Sequence, residues 1–282
     1  MIAWNPMTVC IAAICDNGKS IVVAADRMFT AGAPLNLEFE PPISKIELLS
    51  PRCVAMGAGT SLAAAEIIET ARGTIASTGG QVLQIALTAR DAYTNLRNAK
   101  IDEQILSAQL GPDFSVFRSK GGTLPGYLQA QPGIYQQMVI QTSQFNLGVD
   151  LLLAGCDGYN SHIYHLTHPG SLTAFDKLGY NAIGTGAIHA MVALHLGEQS
   201  QKSSLAATLH AVYNAKLAAE VAPGVGQETE IAVVSAEGVW RCPDVFIDGL
   251  RKIRDASIQE SKPDLAKVQN LYDQQRSSAS FP

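Results

Sequence analysis

The candidate chemistry in this 282-residue chain gathers near its N-terminal end. Four features stand out together: Thr8 at the head of TVCIAAIC, Asp26 within VVAADR, Lys45 in ISKI, and the glycine-bearing strand end Gly57-Ala58-Gly59-Thr60. Each has an ordinary reading on its own. Threonine is a β-former, an aspartate at a strand end is commonly a turn residue, and a lone lysine in a loop is usually solvated. A threonine hydroxyl is a weak nucleophile that needs a base beside it. The set gains chemical meaning through what surrounds it.

Other reactive side chains read as structural. His162, His165 and His168 are three apart, but alternate residues of a strand face opposite sides, so His162 and His165 do not converge on a metal; surface histidines are expected. His189 and His195 diverge on a helix. Gly184-Thr185-Gly186-x-x-His does not complete a dinucleotide fingerprint. The five cysteines (Cys10, Cys15, Cys53, Cys156, Cys242) are odd in number and form no C-x-x-C. Reduced thiols packed as small core residues are expected, Cys10 included.

The elements that must position these residues alternate between strand and helix signals. TVCIAAIC and SIVVAAD flank Asp16-Asn17-Gly18, a hairpin pattern. CVAMGAG reads as the next strand. A helix is expected from Ser61 to a stop at Gly73, and a second over about Gln81–Lys100. Gly111–Gln144 has no clear period and reads as an insertion on the surface or a lid. Strand signals return at VDLLLAGC, HIYHL and SLTAF. Helices are expected over about 188–196 and 203–220, with Leu205, Leu209 and Val212 on one face. EIAVVSA is a final buried strand. Two amphipathic pieces split by Pro263 follow, and residues 274–282 are expected to fray. Hairpins supply the strands rather than β-α-β crossovers, which argues for an α+β fold of antiparallel sheets with helices grouped on their outer faces.

Composition narrows the class of function. Hydrophobic residues make up 47% and charged residues 16%, with a net charge of −5. That surplus of apolar residues suits a subunit burying surface against neighbours. There is no basic stripe for nucleic acid and no run long enough to span a membrane. The start, MIAWNPMTVC, has no Lys or Arg ahead of its apolar run and is broken by Asn5-Pro6, so a cytoplasmic location is expected rather than a signal peptide.

In their order, Thr8, Gly18, Val22 to Arg27, Thr30, Lys45-Ile46 and Ala58-Gly59 resemble the β-type peptidase subunits of proteasomes, and the simpler bacterial peptidase that works with an ATP-driven unfoldase. The later segments LLLAGCDG, Pro169-Gly170-Ser171 and Ile183-Gly184-Thr185-Gly186 agree. The resemblance covers roughly residues 8–75 and 147–237. It implies the N-terminal-nucleophile (Ntn) hydrolase fold, a four-layer αββα sandwich over 8–243, followed by a helical extension over 244–282. It implies that Thr8, once it is the first residue, is the nucleophile and that its own α-amino group is the base. Lys45 then matches the lysine that lowers the amine's pKa by like-charge repulsion. Asp26 matches the acid that orients Lys45, and Gly59 the glycine whose N–H forms the oxyanion hole. Thr30 matches a residue that pairs with substrate backbone, and Thr185 stands where the family carries a serine close to the nucleophile. Implied partners are a peptide or unfolded polypeptide substrate, copies of the same chain in a ring, and an ATP-driven unfoldase; no cofactor or metal is implied.

Departures from the pattern bear on the same site. Met28 stands where many members have a second basic residue. Where the family carries an acid and, three residues on, a serine, this chain has Glu220 and Pro223, which removes a hydroxyl. Residues 1–7 must be absent for Thr8 to lead the chain, either as a short propeptide or because translation starts at Met7 and the methionine is trimmed. Two rival readings keep the fold: a catalytically silent ring subunit, and a small-molecule Ntn amidohydrolase using 111–144 as a private pocket.

Overall fold

A computed structural model describes residues 8–31, 37–39, 43–78, 80–107, 132–158, 160–260 and 269. Residues 1–7, 108–131 and 270–282 lie outside the description, and with them the leading segment, most of the expected insertion and the expected fraying. Contacts divide the chain into two compact units, 1–242 and 243–282.

The first unit is mixed α+β, built on two antiparallel five-stranded sheets. One sheet has the order β10-β1-β2-β11-β12. Its strands are β1 (Cys10–Cys15), β2 (Ser20–Asp26), β10 (Tyr180–Ile183), β11 (Thr229–Ser235) and β12 (Gly238–Arg241). The other has the order β5-β6-β7-β8-β9. It comprises β5 (Glu47–Ser50), β6 (Cys53–Gly59), β7 (Val149–Asp157), β8 (Asn160–Thr167) and β9 (Ser171–Ala174). A short ribbon pairs β3 (Phe29–Ala31) with β4 (Leu37–Phe39).

All of β1 and almost all of β2 is buried, so these strands read as continuous apolar runs because both their faces are covered. Alternate residues of β1 (Cys10, Ala12, Ile14) meet Val54, Met56, Leu152 and Ala154 of the other sheet in one core. The opposite face of β1 and β2 is contacted by α5 (Leu205–Ala219), which packs beside α4 (Ala187–Leu196). On the second sheet, α1 (Ser61–Thr78) and α2 (Val82–Ile101) bury Ile67, Ile68, Ala71, Ile85, Ala89 and Tyr93 against Leu151, Leu153 and Leu166. The spacing of these helical residues, three and four apart, is the apolar stripe of a helix lying on a sheet. α3 (Pro132–Gln144) places Met138 in a smaller cluster with Ile101 and Leu106.

Two local expectations change. Helix α1 continues through Gly73 to Thr78. Gly73 is exposed with open space around it and is not left-handed, so it costs the helix about 1 kcal/mol without ending it. Part of the 111–144 segment is helix α3 rather than irregular chain. The hairpin turn does follow its residues: Asp16, Asn17 and Gly18 all have positive φ, and the Asp16 carboxylate accepts from Leu205 N–H at 2.9 Å, tying the turn to the start of α5. The second unit contains α6 (Asp244–Glu260), a helix carrying an Arg251–Asp248 ion pair at 3.6 Å.

Candidate active site

Strand register delivers the central pair. Cys10 lies opposite Ala25 across β1–β2, so the residue before β1 and the last residue of β2 are neighbours, and Asp26 N–H donates to Val9 O at 3.2 Å. Cys10 also lies opposite Ile183 of β10, which brings the Gly184-Thr185-Gly186 turn against Thr8. Gly186 N–H donates to Thr8 O at 3.3 Å. Gly184 has φ +93°, and a Cβ there would sit 2.2 Å from Thr8 O. Glycine is required because two backbones cross at that point.

Thr8 is 3% exposed and Asp26 is fully buried. The Thr8 hydroxyl donates to Asp26 Oδ1 and accepts from Lys45 Nζ at 2.6 Å. Lys45 Nζ also pairs with Asp26 Oδ1 at 3.1 Å. The carboxylate has further donors: Val9 N–H to Oδ1 at 3.0 Å, and Met28 and Gly226 N–H to Oδ2 at 3.1 and 3.0 Å. Burying a carboxylate is unfavourable unless its oxygens are hydrogen-bonded, and here both are. Charge-assisted bonds of this kind hold the Thr8 oxygen between an anion and a cation.

Thr8 N–H donates to Thr185 Oγ1 at 3.3 Å. The Thr185 hydroxyl lies 3.4 Å from Thr8 O and 3.3 Å from Pro223 O, and its single proton goes to one of them. Pro223 thus reaches this network through its backbone carbonyl, although its side chain offers no hydroxyl. Glu220 accepts from Lys216 Nζ at 2.5 Å. Lys216, fully buried, also donates to Gly226 O at 2.9 Å and Gln227 O at 2.7 Å. Glu220 therefore helps shape the 220–227 loop that presents Gly226 N–H to Asp26.

Gly59 ends β6 with φ +106°, and a Cβ there would lie 2.1 Å from Gly148 O. This crossing of β6 and β7 demands glycine whatever the site does. Thr30 lies on β3 opposite Glu38, and its expected substrate contact falls outside the described side chains.

Reading along the chain misses Lys216 and Glu230. The signal for Lys216 was a lysine on the same helical stripe as Leu209, Val212 and Ala219, all buried. The signal for Glu230 was a lone acid inside the buried strand TEIAVVS. The histidine expectation also shifts. His162 and His165 are partly buried and face carboxylates, His162 Nδ1 at 2.8 Å from Asp176 and His165 Nε2 at 3.9 Å from Asp150. Among the described residues no group of three or more His, Cys, Asp or Glu is arranged to hold a metal. Burial pushes the Cys10 thiol up to about 12, so it is protonated and a poor nucleophile at neutral pH.

Taken alone, the geometry is that of a hydroxyl polarised by an ammonium, with a backbone nitrogen on its own residue held by a second hydroxyl. A scan against protein-family models gives no match, and a search of curated protein sequences gives none.

Proposed function

We propose that this chain is a threonine-type amide hydrolase of the Ntn kind, acting on a peptide or unfolded polypeptide once Thr8 is the first residue. The observation that carries the reading is the placement of Thr8 Oγ1 between Lys45 Nζ and Asp26, with Thr8 N on the Thr185 hydroxyl. The two facing sheets, with α1 and α2 against one and α4 and α5 against the other, are compatible with an αββα sandwich.

In the proposed reaction the free α-amine of Thr8 takes the Oγ proton, directly or through water, as Oγ attacks the amide carbonyl carbon. The tetrahedral intermediate collapses by breaking the C–N bond, and the amine's proton goes to the leaving nitrogen. The acyl ester on Thr8 is then attacked by water, whose proton passes through the same amine back to Oγ as the acid leaves. An α-amine titrates near about 8, and the Lys45 ammonium disfavours its protonated form. Gly59 N–H is the candidate oxyanion donor.

The exposed stripe Ile188, Val192 and Leu196 on α4, at 75%, 52% and 76% exposure, supports self-association into a ring. An ATP-driven unfoldase partner and a cytoplasmic setting belong to the same reading. The rival, a catalytically silent subunit, draws on Pro223 in place of a hydroxyl. Intact-mass measurement separates the two. A chain beginning at Thr8 and acylated there by a β-lactone, with the adduct lost in Thr8→Ala, is expected. A purified protein that keeps Met1, or Thr8→Ala labelled as well as the parent, would sink the reading.

A further inference from the structure

We propose that Glu230 is a positioning residue of this site, a buried carboxylate that fixes from β11 the backbone of the residue carrying the ammonium. The proposal rests on the Thr8 reading above.

Glu230 is 6% exposed and lies opposite Ala25 of β2, one rung from the Thr229–Asp26 pair. Period two puts it on the strand face shared with Ala232 and Val234, both part of the core between the sheets. There its Oε1 accepts the backbone N–H groups of Lys45 and of Ile46, the latter at 3.1 Å. From β12, Arg241 holds the same turn by its other groups: its guanidinium donates to Ser44 Oγ and to Ile46 O, each at 2.5 Å. The same guanidinium lies 3.9 Å from Glu230 Oε2. The turn just before β5 is thus gripped through its N–H groups by an anion and through its carbonyl by a cation.

The cost of this arrangement points to its use. Burying a carboxylate is unfavourable unless its oxygens are hydrogen-bonded, and an apolar residue would serve the core at this strand position. What the carboxylate adds is a pair of charge-assisted bonds aimed at the lysine's own backbone. A lysine stem is long and rotamer-rich, so anchoring its backbone narrows where Nζ can go. Nζ must stay 2.6 Å from Thr8 Oγ1 and 3.1 Å from Asp26. Displacement of a positioned group by about 1 Å can cost roughly 100-fold in rate. Glu230 acts through Lys45 and has no contact with the reacting hydroxyl among its described bonds. The charged and titratable groups around it are Lys45, Asp26, Arg241 and Cys10.

The test measures acylation of Thr8 by a β-lactone against pH in the full chain, with amide hydrogen exchange at Lys45 and Ile46. Glu230→Gln, whose amide oxygen still accepts both N–H groups, is expected within about threefold of wild type. Glu230→Ala is expected to lower kinact by roughly 100-fold with KI unchanged. Its acid limb should move to higher pH, and exchange at both amides should quicken. If Glu230→Ala does not fold, Glu230→Met decides, since it fills the same core space. A wild-type rate and pH profile in the Ala or Met variant overturns the proposal, as does a Gln variant no better than Ala. Wild-type protein that is never acylated at Thr8 overturns it differently, by removing the Thr8 reading itself.

Discussion

Lys45 touches both partners that matter, and its charge gives the most direct test of the chemistry. Its Nζ bonds Thr8 Oγ1 at 2.6 Å and Asp26 at 3.1 Å. In the proposed mechanism the working base is the neutral α-amine of Thr8. A nearby ammonium raises the energy of the protonated amine and so lowers its pKa. Lys45→Met removes that repulsion, the amine's pKa rises, and the neutral base is lost at higher pH than before. The acid limb of the kcat/KM profile is therefore expected to move upward in pH, with the plateau rate also falling by roughly 100-fold or more. An unmoved limb would mean that Lys45 does not tune the base. The variant also leaves Asp26 buried without its cation, which should cost about 3 kcal/mol of stability in urea unfolding. Three backbone N–H groups still reach that carboxylate, so folding itself should survive.

At the scale of elements, β1, β2 and β10 act as one unit because their register places Thr8, Asp26 and Thr185 at the same end of the sheet. The turn after β10 can come this close because Gly184 has no side chain. Gly184→Ala is expected to destabilise the protein by at least about 2 kcal/mol, since it combines a strained φ of +93° with a clash at 2.2 Å against Thr8 O. Thermal unfolding reads the loss directly, and an unchanged Tm would show that the two backbones separate freely. Acylation of Thr8 should fall in the same variant, because the clash is with the proposed nucleophile's own residue. The 220–227 loop is a second positioned element, pinned by Lys216 at its carbonyls and delivering Gly226 N–H to Asp26. That loop also carries Pro223, whose carbonyl lies 3.3 Å from the hydroxyl of Thr185.

Two expectations belong to the molecule as a whole. Burial pushes the thiols of Cys10, Cys15, Cys53 and Cys242 up to about 12. An unfolded thiol ionises near about 8.5. Above that pH the unfolded chain releases protons that the folded chain keeps, so stability should fall as pH rises from about 8.5 towards 12. Below that window these thiols cost nothing, and native protein at pH 8 should resist iodoacetamide at all four positions. Rapid native alkylation would contradict their burial. The second expectation concerns the α4 stripe. Replacing Ile188 and Val192 by Lys should leave folding intact, because both side chains are exposed at 75% and 52%. It should nevertheless lower the oligomer mass seen by sedimentation if the stripe is covered in a ring. A monomeric parent protein would remove the ring from the proposed function.

Reading the sequence by itself reaches as far as local physics carries. The D-N-G hairpin, the apolar strands and the helical stripe of α5 follow from turn residues tolerant of positive φ, from short continuous apolar runs and from a period of 3.6. Gly73 misled because a glycine in open space is compatible with either continuing or ending a helix. Thr8, Asp26, Lys45 and Thr185 were legible as residue types in order, and as a constellation only through a resemblance, not from periodicity or spacing. Their meeting depends on strand register and on contacts between elements far apart in the chain, as with Thr8 and Thr185. Glu230 and Lys216 are charges set in apolar runs that a reading of the chain passes over, because their partners are mostly backbone groups of other segments, which no periodicity reveals. Gly59 could be read from its place in a motif, while its necessity at the β6–β7 crossing is a matter of 2.1 Å to Gly148 O. The sequence determined most of the segments that are strands and helices, α3 and the end of α1 apart, because those choices are made within a few residues. Only the tertiary structure decided which buried polar groups satisfy one another, because that requirement is met across the sheets.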